Sequence, residues 1–140
     1  MTNRLEGKRI IITGAVNNIG KEAASLFVKE GARVVIGDID AKAGQQTADE
    51  LGAMFVAVDV TKEESVKNFI EKSVELLGGL DVLAQNAGLQ RSGFVTDFAA
   101  AEWDALFAVN SRAHYFGAKY AIPHLRRSGR GSIINTSSLA

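Results

Sequence analysis

Residues Ile10-Ile11-Ile12-Thr13-Gly14-Ala15-Val16-Asn17-Asn18-Ile19-Gly20 confine this chain to a small set of folds. An apolar, β-branched run favours a buried strand, and it ends in a glycine-bearing turn. A helical pattern follows at once, with Ile19, Ala23, Leu26 and Phe27 at i, i+4, i+7 and i+8. A strand, a tight turn and a helix N-terminus in succession leave backbone N–H groups pointing out of the turn. The helix dipole adds partial positive charge at that point, so the segment is expected to hold an anion. A dinucleotide pyrophosphate meets that description.

The same alternation continues along the chain. Residues 8–13 read as the first strand and 18–30 as a helix, with Gly31 in the helix-ending position. A strand over 33–37 precedes a helix over 41–51, which Asp40 caps and Gly52 stops. Residues 54–58 form strand three. Thr61 with Glu64 predicts a capping box. It opens a helix whose stripe is Val66, Phe69, Ile70, Val74 and Leu77, ended by Gly78-Gly79. Strand four spans 80–85, and a long helix runs from Glu102 to about Arg127, with Pro123 expected to kink or loosen it. Strand five is 132–136. This order predicts an α/β fold: a doubly wound parallel sheet of the Rossmann type, strands in order 3-2-1-4-5, in a single domain over residues 1–140.

Composition narrows the function. Sixteen Lys and Arg balance sixteen Asp and Glu, which gives no electrostatic footprint for nucleic acid or an anionic membrane. The absence of cysteine excludes disulfides, thiol catalysis and Cys-based zinc sites. His114 and His124 lie ten residues apart on one helix and make no metal-ligand pair, so no metal site is expected. No apolar run approaches membrane-spanning length, and the N-terminal residues carry Arg4, Glu6, Lys8 and Arg9 in place of an apolar signal core. A soluble, cytoplasmic protein is expected.

Doubly wound sheets bind ligands at the carboxyl ends of their strands, so the residues just after each strand carry the information. Asp38 follows strand two, eighteen residues beyond Gly20. A carboxylate there can accept both ribose hydroxyls of an adenosine and repels a 2′-phosphate. The turn from Ala15 to Asn18 holds no Arg or Lys to counter it, which favours NAD over NADP; the alternative is that Asp38 merely caps the next turn. Asp59-Val60 follows strand three and could meet an adenine, Asp59 at the amino group and Val60 against the ring, or Asp59 could cap beside Thr61. Asn86-Ala87-Gly88 follows strand four, where small residues let a ligand approach the backbone. Asn110 sits inside the long helix, where Asn is mildly unfavourable. A tether to a neighbouring element or a held water would explain it. Ser137 and Ser138 follow strand five.

In combination these elements resemble the short-chain dehydrogenase/reductase family. The matching residues are Thr13-Gly14-x-x-x-Asn18-Ile19-Gly20, Asp38, Asp59-Val60, Gln85-Asn86-Ala87-Gly88, Trp103-Asp104, Asn110, and Gly131-Ser132-Ile133-Ile134-Asn135-Thr136-Ser137-Ser138. The resemblance implies a cofactor site made by Gly14, Asn17, Asn18, Ile19, Gly20, Asp38, Asp59, Val60, Asn86, Ala87 and Gly88. It implies hydride transfer between NAD and a small-molecule carbonyl or secondary alcohol, with no nucleic acid or membrane partner and with homo-oligomers in a full-length protein. Two positions depart from the family pattern. Asn18 replaces a glycine, and Asn tolerates positive φ better than other side chains do. Gln85 replaces an asparagine one methylene shorter, for which a small repacking is expected.

The family's catalysis rests on Asn, Ser, Tyr and Lys, of which the resemblance maps the first two onto Asn110 and Ser138. Asn110 would hold a water in the proton relay, and Ser138 would hydrogen-bond the substrate oxygen. The family's Tyr-x-x-x-Lys lies downstream of the serine, and these 140 residues stop two positions after Ser138. Tyr115-Phe116-Gly117-Ala118-Lys119 has the right spacing but precedes the serine. On a regular helix Tyr115 and Lys119 lie about 140° and about 180° away from Asn110, so this pair is rejected. The 140 residues are therefore expected to bind NAD without turnover, with strand five an edge needing cover from a longer chain or another copy. The alternative is a non-catalytic NAD-binding or redox-sensing module. Arg91, in the loop after Gly88, could meet an anionic substrate, although such an exposed arginine ordinarily meets water.

Overall fold

The computed structural model describes residues 2–138. Five strands form one parallel sheet: β1 (Arg9–Thr13), β2 (Arg33–Asp38), β3 (Met54–Ala57), β4 (Val82–Gln85) and β5 (Ser132–Asn135), in the order β3-β2-β1-β4-β5. Helices α1 (Asn18–Lys29), α2 (Ala41–Leu51), α3 (Glu63–Leu77), α4 (Ala100–Phe107) and α5 (Ala113–Ser128) connect them. This is the doubly wound order expected from the alternation of elements.

The register shows how strands buried on both faces use an unbroken apolar run. Ile11, Val35 and Leu83 point to one face, where Phe69, Ile70, Phe116 and Leu125 of α3 and α5 cover them. Ile10, Ile12, Val34, Ile36, Val82 and Ala84 point to the other, against Ala24 and Phe27 of α1 and Ala48 of α2. Helix ends follow their chemistry. Asp40 accepts the Ala43 N–H at 2.9 Å, and Gly52 and Gly78 take the left-handed conformation. Among the described residues, no helix is long and apolar enough to cross a membrane.

Two expectations fail. The capping box of Thr61 and Glu64 does not form, because the Thr61 hydroxyl and N–H both bond to the Asp59 carboxylate, at 2.6 and 3.0 Å. An ionised acceptor two residues away outcompetes a helix N–H for the hydroxyl, and α3 starts at Glu63 with no side-chain cap. The long helix is also not uniform. Residues Ala108–Arg112 form a π turn between α4 and α5, while α5 runs on past Pro123 to Ser128.

At the amino ends of the strands, the fully buried Asp81 carboxylate joins three strands. It accepts the Arg9 N–H and Nε, each at 2.9 Å, and Arg130 Nε at 3.1 Å. The Arg9 guanidinium holds this carboxyl far below the usual range. Thr2 and Arg4 likewise hold Glu30 down, to about 2, chiefly through the Arg4 N–H. Groups with a lowered folded-state pKa stabilise above their unfolded pKa of about 4 and lose that contribution as the pH falls through the folded value. Urea-unfolding stability should therefore decline modestly below about pH 6.5, because burial holds the His114 and His124 imidazoles below their usual range, and fall more steeply between about pH 4 and 2. Asp81→Ala should lower it at pH 7 by about 2–4 kcal/mol, less than a wholly enclosed pair would lose because both arginines reach solvent. An acid-insensitive midpoint, or a neutral Asp81→Ala, would contradict this.

Candidate functional site

The carboxyl ends of the strands open onto a cleft of about 970 Å³. Every site residue singled out from the sequence lines it: Gly14, Asn17, Asn18, Ile19, Gly20, Asp38, Asp59, Val60, Asn86, Ala87, Gly88, Asn110 and Ser138.

The floor is the turn between β1 and α1. Thr13 Oγ1 accepts the N–H groups of Asn86 and Ala87 at 3.2 and 3.3 Å, which draws the end of β4 against the end of β1. Asn86 Nδ2 donates to the Gly14 carbonyl at 3.0 Å, and the Thr136 hydroxyl donates to Asn86 Oδ1 at 3.2 Å. One side chain thus ties three strand ends together. The approach is so close that a Cβ on Gly14 would stand 2.6 Å from the Ala87 Cα, and Gly14 also has a φ of +68°. A Cβ on Gly20 would collide with the Gly14 carbonyl. Asn18 takes a φ of +47°, as its residue type allows.

This floor is built for negative charge. Asn17 is the N-cap of α1 but makes no side-chain capping bond, and the first turn carries no acidic residue. The leading N–H groups of α1 are left to whatever lies in the cleft. Asp38, at the end of β2, spends Oδ1 on the Asp40 N–H at 3.2 Å, so the capping alternative is realised in part; its other oxygen meets no donor among the described residues. Ile39, 72% exposed, lines the cleft beside it. The Asp59 carboxyl lies below its usual range, first because of the Thr61 hydroxyl bond, and it also faces Lys62 Nζ at 3.3 Å.

The far wall comes from the π turn and its neighbours. Both ends of the Asn110 side chain grip Leu89 in the loop after β4: Oδ1 accepts the Leu89 N–H at 2.8 Å, and Nδ2 donates to the Leu89 carbonyl at 2.7 Å. This tether accounts for an asparagine in mid-helix, and a π turn is the usual device for re-aiming residues at such places. Ser137 and Ser138 complete the wall. The π turn also undoes the premise of a regular helix from Asn110 to Lys119. Neither Tyr115 nor Lys119 lines the cleft, and Lys119 pairs with Glu63 of α3. Arg91 is held by Glu102 at 2.9 Å and by the Gln90 carbonyl.

Thr136, Ile39 and His114 are among the wall residues that were not assigned to the site from the sequence. Thr136 and Ile39 each adjoin a strand-end residue that was singled out. His114 lies four positions after Asn110 in the next helical turn, a spacing that could have drawn attention to it. Burial pushes its imidazole below the usual range, which favours the neutral ring.

Comparison with known proteins identifies the family of this chain. A family model described as short chain dehydrogenase matches residues 8–140. The chain is 41% identical over 144 aligned residues to the 2,5-dichloro-2,5-cyclohexadiene-1,4-diol dehydrogenase LinX of Sphingobium indicum, covering 99% of this chain and 58% of that protein. It is 36% identical to a 3-alpha-(or 20-beta)-hydroxysteroid dehydrogenase of Mycobacterium bovis, covering 99% of this chain and 54% of the other. With the Bacillus subtilis oxidoreductase YxbG it shares 40% identity, over 98% and 52% of the two chains. The chain spans about half the length of the curated relatives it matches.

The close approach at Gly14 can be isolated by pairing it with Gly52, whose φ of +70° is nearly the same but whose Cβ would meet nothing within 4 Å. Gly52→Ala should cost about 1–2 kcal/mol for the left-handed backbone alone. Gly14→Ala should cost a further 1–3 kcal/mol or so for displacing the Ala87 backbone. Equal losses in urea unfolding would show that the two strand ends do not press on each other.

Proposed function

The chain belongs to the short-chain dehydrogenase family, and on that premise we propose that its cleft binds NAD and forms the cofactor half of an oxidoreductase acting on a small carbonyl or alcohol. The family as a whole uses nicotinamide cofactors. The observation that carries the reading is a pairing within one cleft: the uncapped N-terminus of α1, which suits a pyrophosphate, and the free carboxylate oxygen of Asp38, which suits ribose hydroxyls. The N–H groups of Asn18, Ile19 and Gly20 would hold the pyrophosphate. The glycines at 14 and 20 let the turn, the end of β4 and the start of α1 pack together, where a Cβ on either would collide with backbone. Ile39 and Val60 offer apolar surface for a base, and Asn86, Ala87 and Gly88 form the side of the cradle. When bound, the nicotinamide supplies a hydride acceptor or donor.

Of the chain's own groups, Ser138 is assigned to hold the substrate oxygen as charge develops on it. Asn110 bonds Leu89 through one lone pair of Oδ1 and one proton of Nδ2, and a relay water at this position could rest on main-chain atoms of the π turn. Asn110 in that case acts as a positioning residue. A proton donor of suitable pKa is still required, and the 140 residues alone are proposed to bind NAD without turnover. The partners proposed are a small-molecule substrate and a second copy of the protein. Trp103, Phe107 and Tyr115 expose aromatic rings along α4 and α5, a surface suited to such a copy.

Calorimetric titration tests the cofactor assignment. Asp38→Ala should weaken NAD about tenfold or more, as expected for lost hydrogen bonds to a charged group, and should narrow or reverse the preference over NADP. An unchanged ratio of the two dissociation constants would remove Asp38 from the site. The proposed lack of turnover fails if the purified 140-residue chain oxidises a secondary alcohol with NAD and Ser138→Ala abolishes that activity.

A further inference from the structure

A second, smaller cavity of about 10 Å³, room for one water molecule, lies between the strand ends and α5. Thr13, Gln85 and His114 supply its polar wall, and Gly117 adjoins it. His114 also lines the cleft, so it adjoins both spaces. The His114 Nε2 is buried and meets no hydrogen-bond partner among the described residues. A buried polar atom of this kind ordinarily has one.

The other two polar groups have capacity to spare. Thr13 Oγ1 already accepts two N–H groups, from Asn86 and Ala87, and its own proton meets no acceptor among the described residues. Gln85 donates both protons of Nε2, to the His114 carbonyl at 3.2 Å and to Asn135 Oδ1 at 2.8 Å, while Oε1 accepts from no described residue. That oxygen lies hard against Gly117, where a Cβ would collide with it. Gln85 and His114 thus bring one unfilled acceptor and one unpaired ring nitrogen to a cavity that already holds an unused hydroxyl proton.

We propose that this cavity is a binding site for one internal water held by Thr13, Gln85 and His114, and that through it His114 is a positioning residue for the cleft floor. The hydrogen bonding balances. The water accepts from the Thr13 hydroxyl, donates one proton to Gln85 Oε1, and donates the other to His114 Nε2, whose ring then carries its own proton on Nδ1. Three partners is the usual number for a buried water. The consequence is mechanical. The Thr13 oxygen that bonds the water also holds the Asn86 and Ala87 amides, so the water ties α5 to the turn beside the proposed cofactor. The water site stands whether or not the cleft takes NAD; only its effect on affinity rests on that reading.

A high-resolution crystal structure of the protein should show an ordered water 2.7–3.2 Å or so from His114 Nε2 and within reach of Thr13 Oγ1 or Gln85 Oε1. A dry cavity, or an Nε2 bonded directly to a protein group, overturns the proposal. His114→Phe keeps the ring and removes the nitrogen. With the water in place it should lower Tm by a few degrees and raise the NAD dissociation constant about threefold. His114→Gln, which returns a polar end to the cavity, should recover most of both. A Tm that is unchanged or raised in His114→Phe would mean that Nε2 was a dry, unmet group whose removal is harmless, and would overturn the water site. A lowered Tm with an unchanged dissociation constant would overturn the positioning role. Failure of the unaltered protein to bind NAD would count against the cofactor assignment and leave the crystallographic and thermal results to decide the water.

Discussion

The bond from the Asn86 and Ala87 amides to the Thr13 hydroxyl holds the ends of β1 and β4 together, and the cleft depends on it. Neighbouring parallel strands hydrogen-bond along their length, but beyond their ends nothing in the ladder keeps the chains together. Here a hydroxyl replaces the missing ladder partner for two amides. Asn86 then extends the junction to the Gly14 carbonyl and to Thr136 beyond β5. Gly14 permits the approach because it brings no Cβ. At the amino ends of the strands, the buried Asp81 carboxylate does the corresponding work for Arg9, Arg130 and the strands they adjoin. With both ends of the strands pinned, the loops between strand ends and helices are free to carry function.

Much of the fold was legible in the residues alone, for reasons that are local. Each apolar run is short and bounded by turn residues, each helix has an amphipathic stripe and a stopping glycine, and crossovers between parallel strands are right-handed. Those facts lead to the strand order and place Asp38, Asp59 and Asn86 at one edge. What escaped the sequence depends on partners far along the chain or on competition nearby. The π turn exists where Asn110 clamps Leu89, twenty-one residues away, and no helix propensity encodes that clamp. Thr61 abandoned Glu64 because Asp59 offered it a charged acceptor. The reach of Gln85 to α5 depends on the space left by Gly117. His114 was legible in principle, being one helical turn from Asn110, but its importance rests on an unmet nitrogen that only packing reveals.

Several residues of the cleft hold neighbouring chain in place while they face the space proposed for the cofactor. Asp38 turns the chain with one oxygen and offers the other to the cleft. Asp59 holds Thr61 ahead of α3 while remaining in the wall, and Asn110 fixes the loop over residues 86–90 while marking the π turn. Residue spacing alone does not distinguish the two tasks, because the same side chain faces both ways. The relatives bear on the same point. One is named for a chlorinated cyclohexadienediol and another for hydroxysteroids, yet each aligns with nearly all of this chain. That spread of substrate names fits the proposal that these residues form a cofactor half, and the loop after β4 is closed on itself by the pair of Arg91 with Glu102.

The most direct measurement is a crystal structure of the protein with NAD bound. The pyrophosphate should lie on the amides of Asn18, Ile19 and Gly20, with the adenosine ribose hydroxyls on the free oxygen of Asp38. A dinucleotide seated outside this cleft, or lying in it with its adenosine away from Asp38, would contradict the assignment of the cleft to the cofactor.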